Sequence, residues 1–140
     1  MIIYHIDAFT DQPFRGNPAA VCILDRQMPD EWMQRVAFEM NLSETSFVIP
    51  GKKESPIRFF TPAAEIPLCG HATLSTAHVF FESGLAAATD EIIFISKAGK
   101  LTIRKEGKWI VMNFPSYDCI PIEIPPDIEN ILGIKPVELL

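Results

Sequence analysis

Hydrophobic and polar positions change rhythm along this chain, and each change of period marks an element. Residues 1–9 are β-rich and read as a strand. The polar stretch 11–18, holding Pro13, Gly16 and Pro18, is a loop into a second short strand at 20–24, so the chain opens as a hairpin. Over 31–40 the apolar residues Trp32, Val36 and Met40 recur four apart beside Met33 and Ala37, which predicts a helix with one buried face and Asp30 as its N-cap. Residues 44–50 and 57–61 form a second hairpin around the charged turn Gly51-Lys52-Lys53-Glu54-Ser55-Pro56.

From Gly70 to about Ser83 the pattern is different. Ala72, Leu74, Ala77, Val79, Phe80 and Phe81 point in nearly every direction around a helix, which therefore belongs inside something, and Gly84 supplies its stop. Residues 91–96, 101–105 and 109–114 then predict an antiparallel meander. After Pro115 the chain is punctuated by Pro121, Pro125, Pro126 and Pro136 around one short helical candidate at 127–132. The sum is an α+β class: strands wrapped around one apolar helix, with an amphipathic helix outside.

Composition narrows the function. The 140 residues are 48% hydrophobic and 21% charged, the balance of a globular domain with its own core. With 12 Lys and Arg against 18 Asp and Glu, net charge −6, and no basic run longer than Lys52-Lys53, the footprint expected of a nucleic-acid or anionic-membrane partner is missing. A small-molecule partner is expected instead. No apolar stretch reaches the ~18 residues of a membrane span, and Met1-Ile2-Ile3-Tyr4-His5 lacks a positive leader, so the expectation is a cytoplasmic protein. Cys22, Cys69 and Cys119 have unrelated spacings and are expected to be reduced.

Three stretches carry candidate chemistry. Glu44 heads a strand, where a carboxylate is commonly a solvated edge residue. Here Asn41, Ser43, Thr45 and Ser46 offer hydrogen bonds, while Leu42 and Phe47 offer apolar walls, the setting in which a carboxyl group serves as a general base and returns the proton as an acid. Leu68-Cys69-Gly70-His71-Ala72-Thr73 opens the apolar helix, whose first N–H groups can hold an anion. The plainer reading makes Gly70 a turn residue and His71 a surface residue. Cys69, beside that helix start, is either a reactive thiol of lowered pKa or a small buried apolar residue. Asn17, before Pro18, is either a turn residue or an amide aimed at substrate. His78 reads as a core or inter-helix histidine and His5 as structural. No familiar ligand spacing links the histidines to carboxylates or cysteines, so no metal is expected. Walker, GxGxxG, GxSxG and HExxH motifs are all absent.

Gly16-Asn17-Pro18-Ala19-Ala20-Val21, Asn41-Leu42-Ser43-Glu44-Thr45, Arg58-Phe59-Phe60-Thr61-Pro62 with Glu65, and Leu68-Cys69-Gly70-His71-Ala72-Thr73 together resemble the PhzF-like isomerases of phenazine biosynthesis. The resemblance covers residues 1–114. It implies a diaminopimelate epimerase-like fold, a curved and mainly antiparallel sheet around a central apolar helix, in each of two similar domains with the active site between them. It further implies an isomerase or epimerase of small carboxylate-bearing metabolites that needs no cofactor or metal. Glu44 would be the catalytic acid/base, with Asn17, Gly70, His71 and Ala72 against the substrate. Cys69 would be a relic of, or an alternative to, the thiol acid of related amino-acid epimerases. Family members are about twice as long, so residues 1–114 are expected to be the N-terminal domain and 115–140 a linker into a second one. The expected partner is a second copy or a C-terminal half, and the alternative is a catalytically silent half that serves as an assembly module.

Overall fold

Alternation along one short strand decides what each helix touches. In the computed structural model, which describes residues 1–116 and 121–135, Glu44, Ser46 and Val48 face one way and Thr45 and Phe47 the other. Val48 joins a core with Ala19, Ile57, Phe59, Ala72, Ala77, Phe80, Phe94 and Leu101, whereas Phe47 joins a second core with Cys22, Met33, Ala37 and Phe60. One helix packs on each face.

The elements follow the order β1 (Ile2–Ala8), β2 (Asn17–Ile23), α1 (Asp30–Met40), β3 (Glu44–Val48), β4 (Ser55–Phe60), β5 (Glu65–Ile66), α2 (Gly70–Glu82), β6 (Ile92–Ser96), β7 (Gly99–Glu106), β8 (Trp109–Asn113) and α3 (Ile128–Leu132). The strands run β1-β2-β3-β4-β6-β7-β8 across the sheet, with β5 paired to β4. Both edge strands, β1 and β8, contact α2, so the sheet curls around that helix. The expected hairpins and meander are present. Two pairings are parallel, β2 with β3 across the α1 crossover, and β4 with β6 across α2. The second consists of only Ser55↔Phe94 and Pro56↔Ile95.

Although α2 carries several hydroxyl residues, it is buried along most of its length. Thr73, Ser75 and Thr76 each donate a hydroxyl hydrogen bond to the carbonyl one turn back, at 2.7, 2.9 and 2.7 Å. Ser46 Oγ and Thr76 Oγ1 then meet at 2.7 Å in the interior. His78, expected in the core or between helices, lies on the exposed line of α2, because the sheet covers the helix from the other sides. His5 is exposed on β1.

Asp30 is not the N-cap of α1. Pro29 holds that position, its carbonyl accepting from the N–H groups of Trp32 and Met33, and the Asp30 carboxylate is drawn instead to Arg58 Nη1 at 2.6 Å. Arg58 also grips Glu65 bidentately, at 2.7 and 2.6 Å, and Gln34 Nε2 donates to the carbonyls of Thr61 and Pro62. These contacts fasten α1 to the β4–β5 turn. Gly16 is required by space, since a Cβ there would lie 2.6 Å from the Ala8 carbonyl oxygen. The helical candidate near 127–132 forms as α3, closed by Gly133 at φ 69°. Cys119 and Pro136 lie outside the described residues.

Pairing with Arg58 holds the carboxyls of both Glu65 and Asp30 below the ordinary carboxylate range. A depressed folded pKa stabilises above the unfolded value, about 4 for these groups, and the contribution disappears as pH falls through the folded value. Arg58→Met is therefore expected to cost about 1–2 kcal/mol at neutral pH through loss of the Glu65 pair. Denaturant unfolding should show that gap closing in acid, and a gap independent of pH would contradict the ion-pair account.

Candidate active site

A left-handed residue aims the carboxylate. Asn41, at φ 51° and ψ 37°, ends α1 with its N–H on the Ala37 carbonyl at 3.2 Å, a backbone conformation that Asn tolerates better than most residues. The chain turns there. Ser43 Oγ reaches the Pro18 carbonyl at 3.4 Å, and Glu44 enters β3 opposite Ala19 of β2. Pleating puts Glu44 on the α2 side of the sheet.

The start of α2 comes to meet it. Cys69 is extended, at φ −144° and ψ 118°, and the first helical bond runs from the Thr73 N–H to the Cys69 carbonyl at 3.1 Å. The N–H groups of Gly70, His71 and Ala72 precede that bond and have no partner within the helix. Ala72 is fully buried in the core, its backbone included, so its N–H does not reach solvent in this arrangement. Gly70 is exposed, has no positive φ, and would place a Cβ in open space. Neither turn geometry nor crowding within this chain therefore requires glycine at that position.

His71 is the hinge of the arrangement. Its Nε2 lies 3.2 Å from Glu44 Oε2 and 3.3 Å from Ser43 Oγ, and its Nδ1 lies 3.3 Å from Cys69 Sγ. The Glu44 side chain is 18% exposed and that of His71 11%. The Glu44–His71 contact satisfies an ion-pair distance without the angle of a hydrogen bond, so Oε2 is both buried and without a hydrogen-bond partner. Thr45 Oγ1, one residue on, shares that condition. Thr45 points to the opposite, α1 face of the sheet, so on the α2 face the unsatisfied buried atom is Glu44 Oε2, an uncommon condition that marks a place where chemistry can be held ready.

Cys69 departs from the reactive-thiol reading. Burial, with a smaller push from the Glu44 carboxylate, raises its thiol to about 11, against an opposing pull from the amides of Ala72 and His71. It forms no side-chain cap bond on the helix start. Desolvation outweighs the helix terminus, and the thiol keeps its proton at neutral pH. Asn17 stands exposed at the first position of β2, two residues before Ala19 and on the same face as Glu44, at the rim rather than in contact with the cluster. The fold thus joins Glu44, Cys69 and His71 within 4.8 Å of one another, although they are far apart in any recognisable ligand spacing. Ser43 emerges as a direct partner of His71; its signal was its place between the Asn41 turn and Glu44.

Known proteins share this fold and much of this sequence. The family model described as phenazine biosynthesis-like protein matches residues 6–126. An uncharacterized isomerase of Halalkalibacterium halodurans is 48% identical over 136 residues, 96% of this chain and 51% of that protein. The crystal structure of a PhzF family protein from Enterococcus faecalis superposes with a TM-score of 0.83 at 41% identity, over 97% of this chain and 52% of that one. A hydroxyproline epimerase from Agrobacterium vitis, at 12% identity and a TM-score of 0.55, shares the fold alone. The α+β, epimerase-like class expected from the sequence is the one found, and the chain spans about half the length of the curated relatives it matches. A family model covering most of the chain, and relatives this similar along nearly all of it, make the chain a member of the phenazine biosynthesis-like, or PhzF, family.

Proposed function

We propose that the protein is an isomerase that moves a proton between carbons of a small carboxylate-bearing metabolite, with Glu44 as base and then acid. One observation carries the reading: a carboxylate oxygen, buried and without a hydrogen-bond partner, beside the open N-terminus of a core helix. Glu44 would take a proton from a carbon next to the substrate carbonyl or carboxylate and return it at a second carbon. The charge that builds on the substrate oxygen would be met by the N–H group of Gly70, by those of His71 and Ala72, which now face the Cys69 sulfur, and by the dipole of α2. His71 would hold the carboxylate in position from Nε2, and Asn17 would contact the substrate from the rim. Such a transfer uses no electron or group carrier. Names of relatives support the class, since several at 42–48% identity are called isomerases.

The site forms one wall. Residues 1–114 would constitute the N-terminal domain, with 115–140 leading away from it, and the opposite wall would come from a C-terminal half or a second copy.

Glu44→Gln keeps the shape and removes the base. It is expected to lower kcat by about 10²–10⁴-fold while the thermal unfolding midpoint stays near that of the unsubstituted protein. Retained turnover would remove Glu44 from the role. Because Cys69 is protonated below about pH 11, its alkylation by iodoacetamide, followed by mass spectrometry, should be slow at neutral pH and accelerate only in strong alkali. Rapid alkylation at neutral pH would return the thiolate to consideration as a base.

A further inference from the structure

We propose that Glu44, Cys69 and His71 form a binding site for a divalent d-block cation of borderline softness, represented by Zn2+, and that its occupation arrests the proton transfer assigned to Glu44. The arrest rests on the function proposed above; the binding does not.

The donor set is the first argument. One thiol sulfur, one imidazole nitrogen and one carboxylate oxygen lie within 4.8 Å of one another, and sulfur with imidazole selects Zn2+ and its neighbours over Mg2+ or Ca2+, which prefer oxygen. Ligand atoms around a tetrahedral Zn2+ sit about 3.3–3.7 Å apart, given bonds of about 2.0–2.3 Å. The Sγ–Nδ1 distance of 3.3 Å already fits. The widest separation would have to close by about 1 Å, within reach of side-chain rotation at Glu44.

Burial and charge supply the second argument. Cys69 is 8% exposed, and Glu44 Oε2 has no hydrogen-bond partner to lose when it turns to a cation. Among the described residues no Lys or Arg makes an ion pair with Glu44, so no resident cation competes for it. On binding, the S–H bond breaks, the proton leaves to solvent and sulfur keeps the electron pair. One thiolate and one carboxylate then balance the double positive charge, while imidazole stays neutral. Three protein ligands leave a fourth position for water or an outside molecule. Coordination withdraws charge from the whole carboxylate and puts the cation where the substrate carbon would approach, so Glu44 loses most of its power to accept a proton from carbon.

Co2+ makes the site visible, because a cobalt–thiolate bond gives a charge-transfer band in the near ultraviolet. Titrating the chelator-stripped protein with Co2+ should produce that band with one equivalent bound, and Zn2+ should abolish it by displacement. Cys69→Ser should remove the band, and Cys22→Ser, on the α1 side of the sheet, should leave it. The nearly isosteric Glu44→Gln should weaken binding at least as much as loss of an outer-shell partner does, about 10–100-fold, without disturbing the fold. Absence of the band in the unsubstituted protein, or unchanged affinity in Glu44→Gln, overturns the site. For the second half of the proposal, Zn2+ should suppress turnover and a chelator should restore it. Undiminished turnover with the metal bound overturns the arrest. If turnover persists in Glu44→Gln, the acid/base assignment fails while the cobalt spectra still report on binding.

Discussion

One buried contact between hydroxyl groups ties together the strand and the helix on which the candidate site depends. Ser46 Oγ on β3 and Thr76 Oγ1 on α2 meet at 2.7 Å, each also within reach of a carbonyl, Ala20 and Ala72 respectively, and this contact sets the strand against the helix in one register. From Ser46 back to Glu44 the strand covers about 6.6 Å. From Thr76 back to His71 the helix covers about 7.5 Å. The two paths run side by side and are nearly equal, so the carboxylate and the imidazole arrive together at the mouth of the curled sheet. Sliding β3 by one residue would turn Glu44 toward α1 and place Thr45 before His71.

Much of this was legible in the residues. Period-2 runs marked the main strands, and the apolar circumference of the 70–83 helix foretold that the sheet would wrap it. Glu44, Gly70 and His71 stood out because a carboxylate and a helix start each bring chemistry of their own. What escaped was settled by distant partners. Asp30 looks like a cap until Arg58, 28 residues later, takes its carboxylate. For Cys69 the sequence offers both an activated thiol and a small buried residue, and it is the core around it, which makes ionisation costly, that decides for the second. The parallel pairings of β2 with β3 and β4 with β6 depend on crossovers, which local patterning does not encode. His78 was misplaced because the wrapping of α2 is incomplete, and a sequence does not say which line of an apolar helix the sheet leaves open.

The same helix serves two purposes that pull in opposite directions. Its body must be apolar to fill the sheet, yet it carries Thr73, Ser75 and Thr76, whose hydroxyls fold back on the preceding turn and so enter the core already satisfied. Its first turn stays at the surface, with Gly70 exposed while Ala72 and Thr73 are already fully buried.

The two-residue contact between β4 and β6 reaches beyond static architecture. It is the seam between a half-sheet that contains the cluster around Glu44, in which two hairpins are joined by one parallel pairing across α1, and a meander of β6, β7 and β8 joined by short turns. Neighbouring strands can find one another quickly, whereas β2 must wait for all of α1 before β3 exists to pair with it. The hairpins and the meander can therefore form before β2 joins β3 and the two half-sheets meet. The carboxylate and its imidazole partner would meet only in the last and slowest closures of the chain, leaving this corner among the first to open when the native state fluctuates.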